Sequence, residues 1–203
     1  MHYQSTPKPL LIYVHGFMSS PRSVKAKETE FYIARRAMLV EYLVPALSDH
    51  PTQAYQQLSE LMQANPNRTV GLIGSSMGGF FASVLSARFD CRAALINPAV
   101  APCQLMNKYI GEQINPYTNN HFTLTANDME FLQDLDVECP QPDNIMLLLQ
   151  TGDETLNYKD AIAKYAGSLQ VVEEGGDHRF QGYNERLPNI MKFLFSPSTD
   201  IKQ

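Results

Sequence analysis

The residues best suited to chemistry in this 203-residue chain lie in the stretch GSSMG, residues 74–78. Ser76 has glycine two positions before it and two positions after it. This is the G-x-S-x-G pattern, in which a strand turns sharply into a helix and a serine hydroxyl projects from the turn. Ser75 would have isoleucine and methionine at the same offsets, and both are too large. The spacing therefore predicts Ser76 as a nucleophile and Ser75 as its small neighbour.

A serine hydroxyl is a weak nucleophile until a base takes its proton. In this motif the partners follow in the order serine, acid, histidine. Among five histidines, His178 is the one that lies beyond the late strands, in the glycine-rich stretch EEGGDHRF. Asp153 directly follows the apolar run IMLLLQ and its turn. We predict His178 as general base and then acid, with Asp153 orienting its ring. Glu154 remains an alternative acid.

The oxyanion of an acyl-transfer intermediate needs two backbone donors. The first predicted donor is the N–H of Met77, at the start of the helix that follows Ser76. The second is the N–H of Phe17, in the loop His15-Gly16-Phe17 after the first long apolar run. We interpret His15 as a brace for this loop rather than as a catalytic group.

Short apolar runs alternate with amphipathic stretches along most of the chain. This alternation predicts an α/β fold, a single domain over residues 1–203, with a short, mostly parallel sheet of about six strands and helices on both faces. Ser20-Pro21 and Thr52 are predicted helix starts. The predicted strands are 10–15, 40–44, 70–74, 93–96, 145–150 and 169–172. The predicted helices are 22–36, 52–65, 77–89, 158–166 and 184–195.

Residues 99–143 interrupt this rhythm after the fourth strand. The segment is rich in Pro, Asn, Gln and Tyr, with weak helical patterns such as those at 104–109 and 127–135. A connection of this length is often functional, so we predict an inserted cap or lid over the site. The alternative is a surface excursion without a role in substrate contact. Apolar residues of this segment would line an acyl pocket: Leu105, Met106, Tyr109, Tyr117 and Phe122.

Composition narrows the possible partners. The formal net charge is −5 and no basic block is present, so nothing favours nucleic acid or an anionic membrane. The three cysteines, Cys91, Cys103 and Cys139, are odd in number and widely spaced, which argues against a disulfide framework or a zinc site. No signal segment or membrane span is evident. We expect a cytoplasmic protein with a small-molecule substrate and no metal.

Several motifs together resemble one family. The stretches YVHGFMSSP, GSSMGGFFA, INPAV, YIGEQINPYT, LLQTGDE and GGDHRF are similar to the YqiA-type short α/β-hydrolases of bacteria. The resemblance implies an α/β-hydrolase core, serine esterase or thioesterase activity, and no metal or organic cofactor. Carried over to matching positions, it implies Ser76, Asp153 and His178 as the catalytic residues, with oxyanion donors at Phe17 and Met77.

The expected activity is hydrolysis of carboxylic esters with small to medium acyl groups through an acyl-enzyme on Ser76. An acyl-CoA thioesterase on the same residues is the first alternative, with the basic residues Arg22 and Lys25, close after the predicted oxyanion loop, as candidate contacts to CoA. A non-catalytic binding protein with a hydrolase fold is the second.

Overall fold

Parallel strands and helices alternate through most of the molecule. The computed structural model describes residues 7–136 and 141–196. The strands are β1 (Leu10–Val14), β2 (Glu41–Leu43), β3 (Val70–Ser75), β4 (Arg92–Ile96), β5 (Gly111–Ile114), β6 (His121–Leu124), β7 (Ile145–Gln150) and β8 (Leu169–Glu173). The helices are α1 (Val24–Arg35), α2 (Pro51–Gln63), α3 (Met77–Phe89), α4 (Pro102–Met106), α5 (Ala126–Leu135), α6 (Tyr158–Lys164) and α7 (Tyr183–Phe195).

Six of these strands form one sheet in the order β2-β1-β3-β4-β7-β8, and every neighbouring pair is parallel. The predicted α/β fold and the strand number are confirmed. Strands β5 and β6 form a separate antiparallel hairpin. Because the six main strands are parallel, their carboxyl ends meet at one edge of the sheet, which is where open α/β sheets carry their sites.

Alternation along each strand divides the core into two layers. Leu10, Ile12 and Val14 of β1 belong to the cluster that packs under α2, α3 and α6. Leu11 and Tyr13 belong to the cluster on the opposite face, under α1 and α7. Both layers are almost completely removed from water, and each buried aliphatic side chain contributes about 1.5–3 kcal/mol. The rigid two-sided core therefore fixes the strand ends.

Two predicted helix starts differ from the structure. Helix α1 begins at Val24, not after Ser20, because the Ser20 hydroxyl accepts the N–H of Arg22 inside a preceding turn. Helix α2 has Pro51 at its first position and His50 as its N-cap, so Thr52 lies inside the first turn. Proline at the first helical position costs no hydrogen bond, and this explains the earlier start.

Within the segment 99–143, the described residues form α4, a short 3₁₀ turn (Asn107–Tyr109), the hairpin β5–β6 and α5. The hairpin was not predicted. Its only pattern is the alternation in β6, where Phe122 and Leu124 point inward between exposed neighbours. Helix α5 begins in a capping box, with the Asp128 carboxylate accepting the N–H of Thr125 at 2.8 Å. The described residues of this segment, 99–136 and 141–143, therefore form regular elements that pack on the core.

Candidate active site

Ser76 occupies a strained turn between β3 and α3. Its backbone has φ 57° and ψ −123°, a conformation that non-glycine residues rarely adopt. The turn brings the chain into close contact on both sides of the serine. A side chain at Gly78 would overlap the carbonyl of Val14, and one at Gly74 would overlap the carbonyl of Gly78. Glycine at both flanking positions is therefore required by packing, as the motif predicts.

The structure brings three predicted side chains into one line of hydrogen bonds. Ser76 Oγ lies 3.1 Å from Nε2 of His178. Nδ1 of the same ring lies 2.8 Å from Oδ2 and 3.0 Å from Oδ1 of Asp153. Ser76 and His178 are 102 positions apart in sequence, so only the fold creates this contact.

The environment of Asp153 fixes the tautomer of the histidine. The Asp153 side chain is only 2% exposed. Burial alone raises the pKa of Asp153, but the His178 ring and the N–H groups of Leu156 and Thr155 outweigh it and leave the pKa below its ordinary value. An ionised carboxylate accepts hydrogen bonds only, so Nδ1 carries the proton. Nε2 is then free to accept the hydroxyl proton of Ser76.

The alternative acid, Glu154, has a different contact. Its Oε2 accepts the backbone N–H of His178 at 3.0 Å and does not reach the ring. The backbone N–H groups of Glu154 itself and of His178 lower the pKa of this exposed carboxyl group. Glu154 therefore holds the main chain beside the histidine, and Asp153 holds the ring.

Two glycines and a glutamine shape the loop that carries His178. Gly175 and Gly176 have φ values of 75° and 71°, in the left-handed region that glycine adopts at no steric cost. The side chain of Gln150 fills the space beside Gly176, so no larger residue fits there. Oε1 of Gln150 accepts the N–H groups of Asp177 and Gln181. The end of β7 therefore anchors the histidine loop.

Asn97, at the end of β4, is a second anchor for the same loop. It is 2% exposed and has a positive φ of 39°. Its Nδ2 donates to the carbonyls of Asp177 at 3.0 Å and His178 at 3.3 Å, while its Oδ1 accepts the N–H of Gln150 at 3.1 Å. Asn97 was not singled out from the sequence. A polar residue ending an apolar strand was the signal for both Asn97 and Gln150.

A third contact reaches the loop from α1. Lys25 Nζ donates to the carbonyl of Arg179 at 2.7 Å. Burial lowers the pKa of Lys25 to about 8. The Lys25 ammonium group thus already donates a hydrogen bond within the protein. Arg22, the other residue predicted to contact CoA, is exposed.

The two predicted oxyanion donors flank Ser76. Met77 begins α3, and Phe17 follows Gly16 in the loop after β1. A methyl group on Gly16 would lie 3.4 Å from Cβ of Ser76, so this loop packs directly against the turn. Within residues 7–136 and 141–196 no acceptor takes the N–H of Phe17 or of Met77. Neither N–H group is used within the described structure, so both remain candidate oxyanion donors.

His15 connects this loop to the residues that follow β2. Its Nε2 accepts the N–H of Leu47 at 3.3 Å, and its Nδ1 donates to the carbonyl of Gly16 at 3.0 Å. Burial lowers the pKa of His15, which favours the neutral ring that this pair of bonds requires. The ring makes its hydrogen bonds to Leu47 and Gly16, and none to Ser76 or Asp153, so its position fits a brace.

A small pocket adjoins the two donors. It is mainly apolar, with Asp49 at one side, and its lining residues are His15, Gly16, Phe17, Met18, Leu47, Ser48, Asp49, Pro51, Ala54, Met77 and Phe81. The five residues predicted to line an acyl pocket lie elsewhere. Met106 and Phe122 are buried in the core, Leu105 and Tyr109 pack against it, and Tyr117 is 66% exposed. The described part of the segment thus packs apolar residues on the core, and the role of these five residues in an acyl pocket stays a prediction.

The described residues offer no site for a metal ion. Within that part of the chain, no group of three or more His, Cys, Asp or Glu side chains converges. Cys91 and Cys103 are free, and Cys139 lies outside the described residues. No helix among those described is long and apolar enough to cross a membrane.

The parallel sheet, the strained serine turn and the aligned Ser76, His178 and Asp153 define an α/β-hydrolase fold. Solved structures share it. Est1E from Butyrivibrio proteoclasticus with ferulic acid bound is 14% identical, covers 95% of this chain and 90% of its own, and has a TM-score of 0.73. The mouse alpha/beta hydrolase domain-containing protein 10 is 13% identical, covers 93% and 90%, and has a TM-score of 0.69.

Residues 10–195 match the model of a family described as Uncharacterised protein family (UPF0227). The chain belongs to this family, and the resemblance to the short bacterial α/β-hydrolases is confirmed at that level. One relative is the UPF0227 protein YcfP of Escherichia coli K12. It is 21% identical over 186 residues, which cover 91% of this chain and 98% of that protein.

Proposed function

We propose that this protein is a serine hydrolase that cleaves carboxylic esters through an acyl-enzyme on Ser76. The observation that carries the proposal is the hydrogen-bonded line from Ser76 through His178 to Asp153, beside two free backbone donors. The esterases among the solved structures with this fold agree with the reaction class.

The geometry supports a two-stage reaction. Ser76 Oγ attacks the carbonyl carbon of the ester while its proton passes to Nε2 of His178. When the tetrahedral intermediate collapses, the same proton goes to the leaving alcohol, and the acyl group stays on Ser76. Water then attacks the acyl-enzyme, His178 takes its proton, and Ser76 leaves with that proton. Asp153 keeps the ring oriented and stabilises the imidazolium in each stage.

The negative charge that develops on the carbonyl oxygen needs donors that are already in place. The N–H groups of Met77 and Phe17 would supply them, the first at the positive end of α3. Loss of one such donor costs about 2.7–4 kcal/mol of transition-state stabilisation in a comparable enzyme. The strained backbone of the turn at Ser76 is consistent with this role, since strained backbone is common where a site must be preorganised.

The pocket beside the donors indicates a small acyl group. Phe81 and Ala54 belong to its lining, and both come from helices of the rigid core. We therefore centre the proposed acyl pocket on these residues rather than on the segment 99–143. Phe81→Ala should shift the preferred ester toward longer acyl chains, because the truncation opens space at the lining.

The primary test is covalent labelling with a fluorophosphonate, followed by mass spectrometry of the modified peptide. The label should attach to Ser76 and should be lost in Ser76→Ala, while Ser75→Ala keeps it. Ser75 is the matched control, because it is the adjacent serine and is buried in β3. Attachment at another residue, or equal ester hydrolysis by Ser76→Ala, contradicts the proposal.

The leaving group needs a separate comparison. Matched oxygen and sulfur esters of one acyl group, for example phenyl acetate and S-phenyl thioacetate, report whether an oxygen or a sulfur leaving group is preferred. Acetyl-CoA as a third substrate reports a contribution from the CoA moiety. A kcat/KM for acetyl-CoA far above that of the simple thioester would favour the thioesterase alternative.

A further inference from the structure

The oxyanion loop, residues 15–20, depends on contacts from outside itself. It is irregular in backbone, and Met18 within it has a positive φ of 50°. Leu47 holds one end through His15. Gly16 packs against the Ser76 turn. Further contacts come from the inserted segment, specifically from the 3₁₀ turn and the hairpin β5–β6.

Two aromatic rings of the segment hold the side chain of Phe17. The Tyr109 ring lies 5.5 Å from it, centroid to centroid, and the Phe122 ring 6.0 Å, both edge to face. This is the arrangement that aromatic pairs prefer. Phe122 is itself buried and contacts the His50 ring at 5.8 Å. The ring of Phe17 is therefore fixed from two sides.

Asn115, just after β5, holds the main chain of the same loop. It is 2% exposed, and its Nδ2 donates to the carbonyl of Ser19 at 3.3 Å and to Oδ1 of Asp49 at 2.6 Å. Its Oδ1 accepts the N–H groups of Tyr117 and Thr118. A buried amide with all its groups satisfied holds one rotamer, so it transmits position from the hairpin to the loop.

Asp49 completes the connection. Its second oxygen accepts Nδ2 of Asn120 at 2.9 Å, so one carboxylate binds both ends of the hairpin turn. Asp49 also borders the pocket beside Phe17 and Met77. No ion pair involves this carboxylate within the described ranges.

We propose that the hairpin β5–β6 positions the oxyanion loop through Asn115 and Asp49, and so acts on the transition state instead of opening as a lid. The proposal rests on the ester hydrolase activity proposed above. Movement of the hairpin away from the core would displace Ser19 and release Phe17, which removes one of the two oxyanion donors. Asn115 and Asp49 are therefore positioning residues of the reaction.

The variant Asn115→Asp tests this role with almost no change in volume. The new side chain keeps an oxygen for the turn N–H groups but turns a carboxylate toward Asp49 and the Ser19 carbonyl. We expect kcat on p-nitrophenyl acetate to fall by ~10–100-fold, since a displacement near 1 Å can cost about 100-fold. KM should change by less than about threefold, because the lost interaction acts only in the transition state.

A transition-state analogue separates this effect from general damage. A trifluoromethyl ketone forms an oxyanion when Ser76 adds to it, so its Ki should rise by the same factor by which kcat/KM falls. Asn119→Asp is the matched control, because it adds the same charge in the same turn. Its side chain makes no hydrogen bond within the described residues, and its positive φ of 58° suits Asp as well as Asn.

The double variant Asn115→Asp/Asp49→Asn exchanges the two groups. The new amide at position 49 can donate to the new carboxylate while its oxygen still accepts from Asn120. Its kcat should exceed that of the single variant by about fivefold or more, as a coupled pair predicts. A double variant no faster than the single one overturns the role of Asp49.

Tyr109→Leu gives a second variant in case Asn115→Asp does not fold. It removes one ring contact to Phe17 and leaves the hairpin hydrogen bonds intact, and it should lower kcat more than it changes KM. Wild-type kcat in every folded variant of this set overturns the proposal. If Ser76→Ala is inactive in the same assay, wild-type kcat in those variants overturns the positioning role of the hairpin but not the proposed function. Full activity of Ser76→Ala would instead overturn the proposed function.

Discussion

Replacing Asp153 with asparagine should disable the histidine without changing the shape of the site. Oδ1 of Asp153 accepts the N–H groups of Thr155 and Leu156, each at 2.8 Å. The carbonyl oxygen of an asparagine must take that position, because only an acceptor satisfies two donors. Its NH₂ group then faces Nδ1 of His178, which becomes the acceptor. The ring proton moves to Nε2, and Nε2 can no longer accept from Ser76.

The expected loss follows from this exchange of tautomer. A wrong tautomer in an otherwise intact triad lowers kcat by about 10⁴-fold. At about 1.36 kcal/mol per factor of ten, this is ~5.4 kcal/mol of transition-state stabilisation. KM should stay close to the wild-type value, because the substrate contacts are unchanged.

The assay is hydrolysis of p-nitrophenyl acetate by Asp153→Asn and by Glu154→Gln, with thermal unfolding of both. Glu154→Gln is the matched control: the new amide oxygen can still accept the N–H of His178, so kcat should stay within about threefold of wild type. If Asp153→Asn keeps more than about a tenth of the wild-type kcat, the tautomer argument is refuted. Equal losses in both variants would refute the distinction between the two acids.

Three further outcomes can be checked. Asn97→Asp should lower kcat, and it should lower the unfolding free energy by about 1–3 kcal/mol, because a carboxylate would face the carbonyls of Asp177 and His178. An unchanged midpoint of chemical denaturation would argue against this. Gly78→Ala should destabilise the fold by about 1–3 kcal/mol, because the added methyl group would overlap the carbonyl of Val14 at the serine turn. The measurement is a lower Tm. A wild-type Tm would show that the turn can relax. The pKa of Asp153 in the folded protein lies below its unfolded value, so the contribution of Asp153 to stability is present above about pH 4 and is lost as the pH falls through the folded pKa. The difference in unfolding free energy between wild type and Asp153→Asn should therefore shrink in that acidic range. A difference that stays constant with pH would contradict this prediction.

Local pattern was enough to identify the central elements and the candidate triad. Buried parallel strands appear as continuous apolar runs, and β3 and β7 match their predicted positions within one residue. The serine turn requires small residues at fixed offsets for steric reasons, so Gly74 and Gly78 identify Ser76 from sequence. The order of acid and histidine after the nucleophile follows from the strand order, which is why Asp153 and His178 could be proposed before any coordinates.

The contacts between distant segments could not be read from the sequence. Asn97, Gln150, Asn115 and Asp49 are polar residues of ordinary type, and their importance depends on which carbonyl or N–H lies beside each one. The acyl-pocket residues stay a prediction, because apolar residues look alike in sequence whether they face a substrate or the core. Periodicity reports which face of an element is buried, but only tertiary packing decides what that face is buried against.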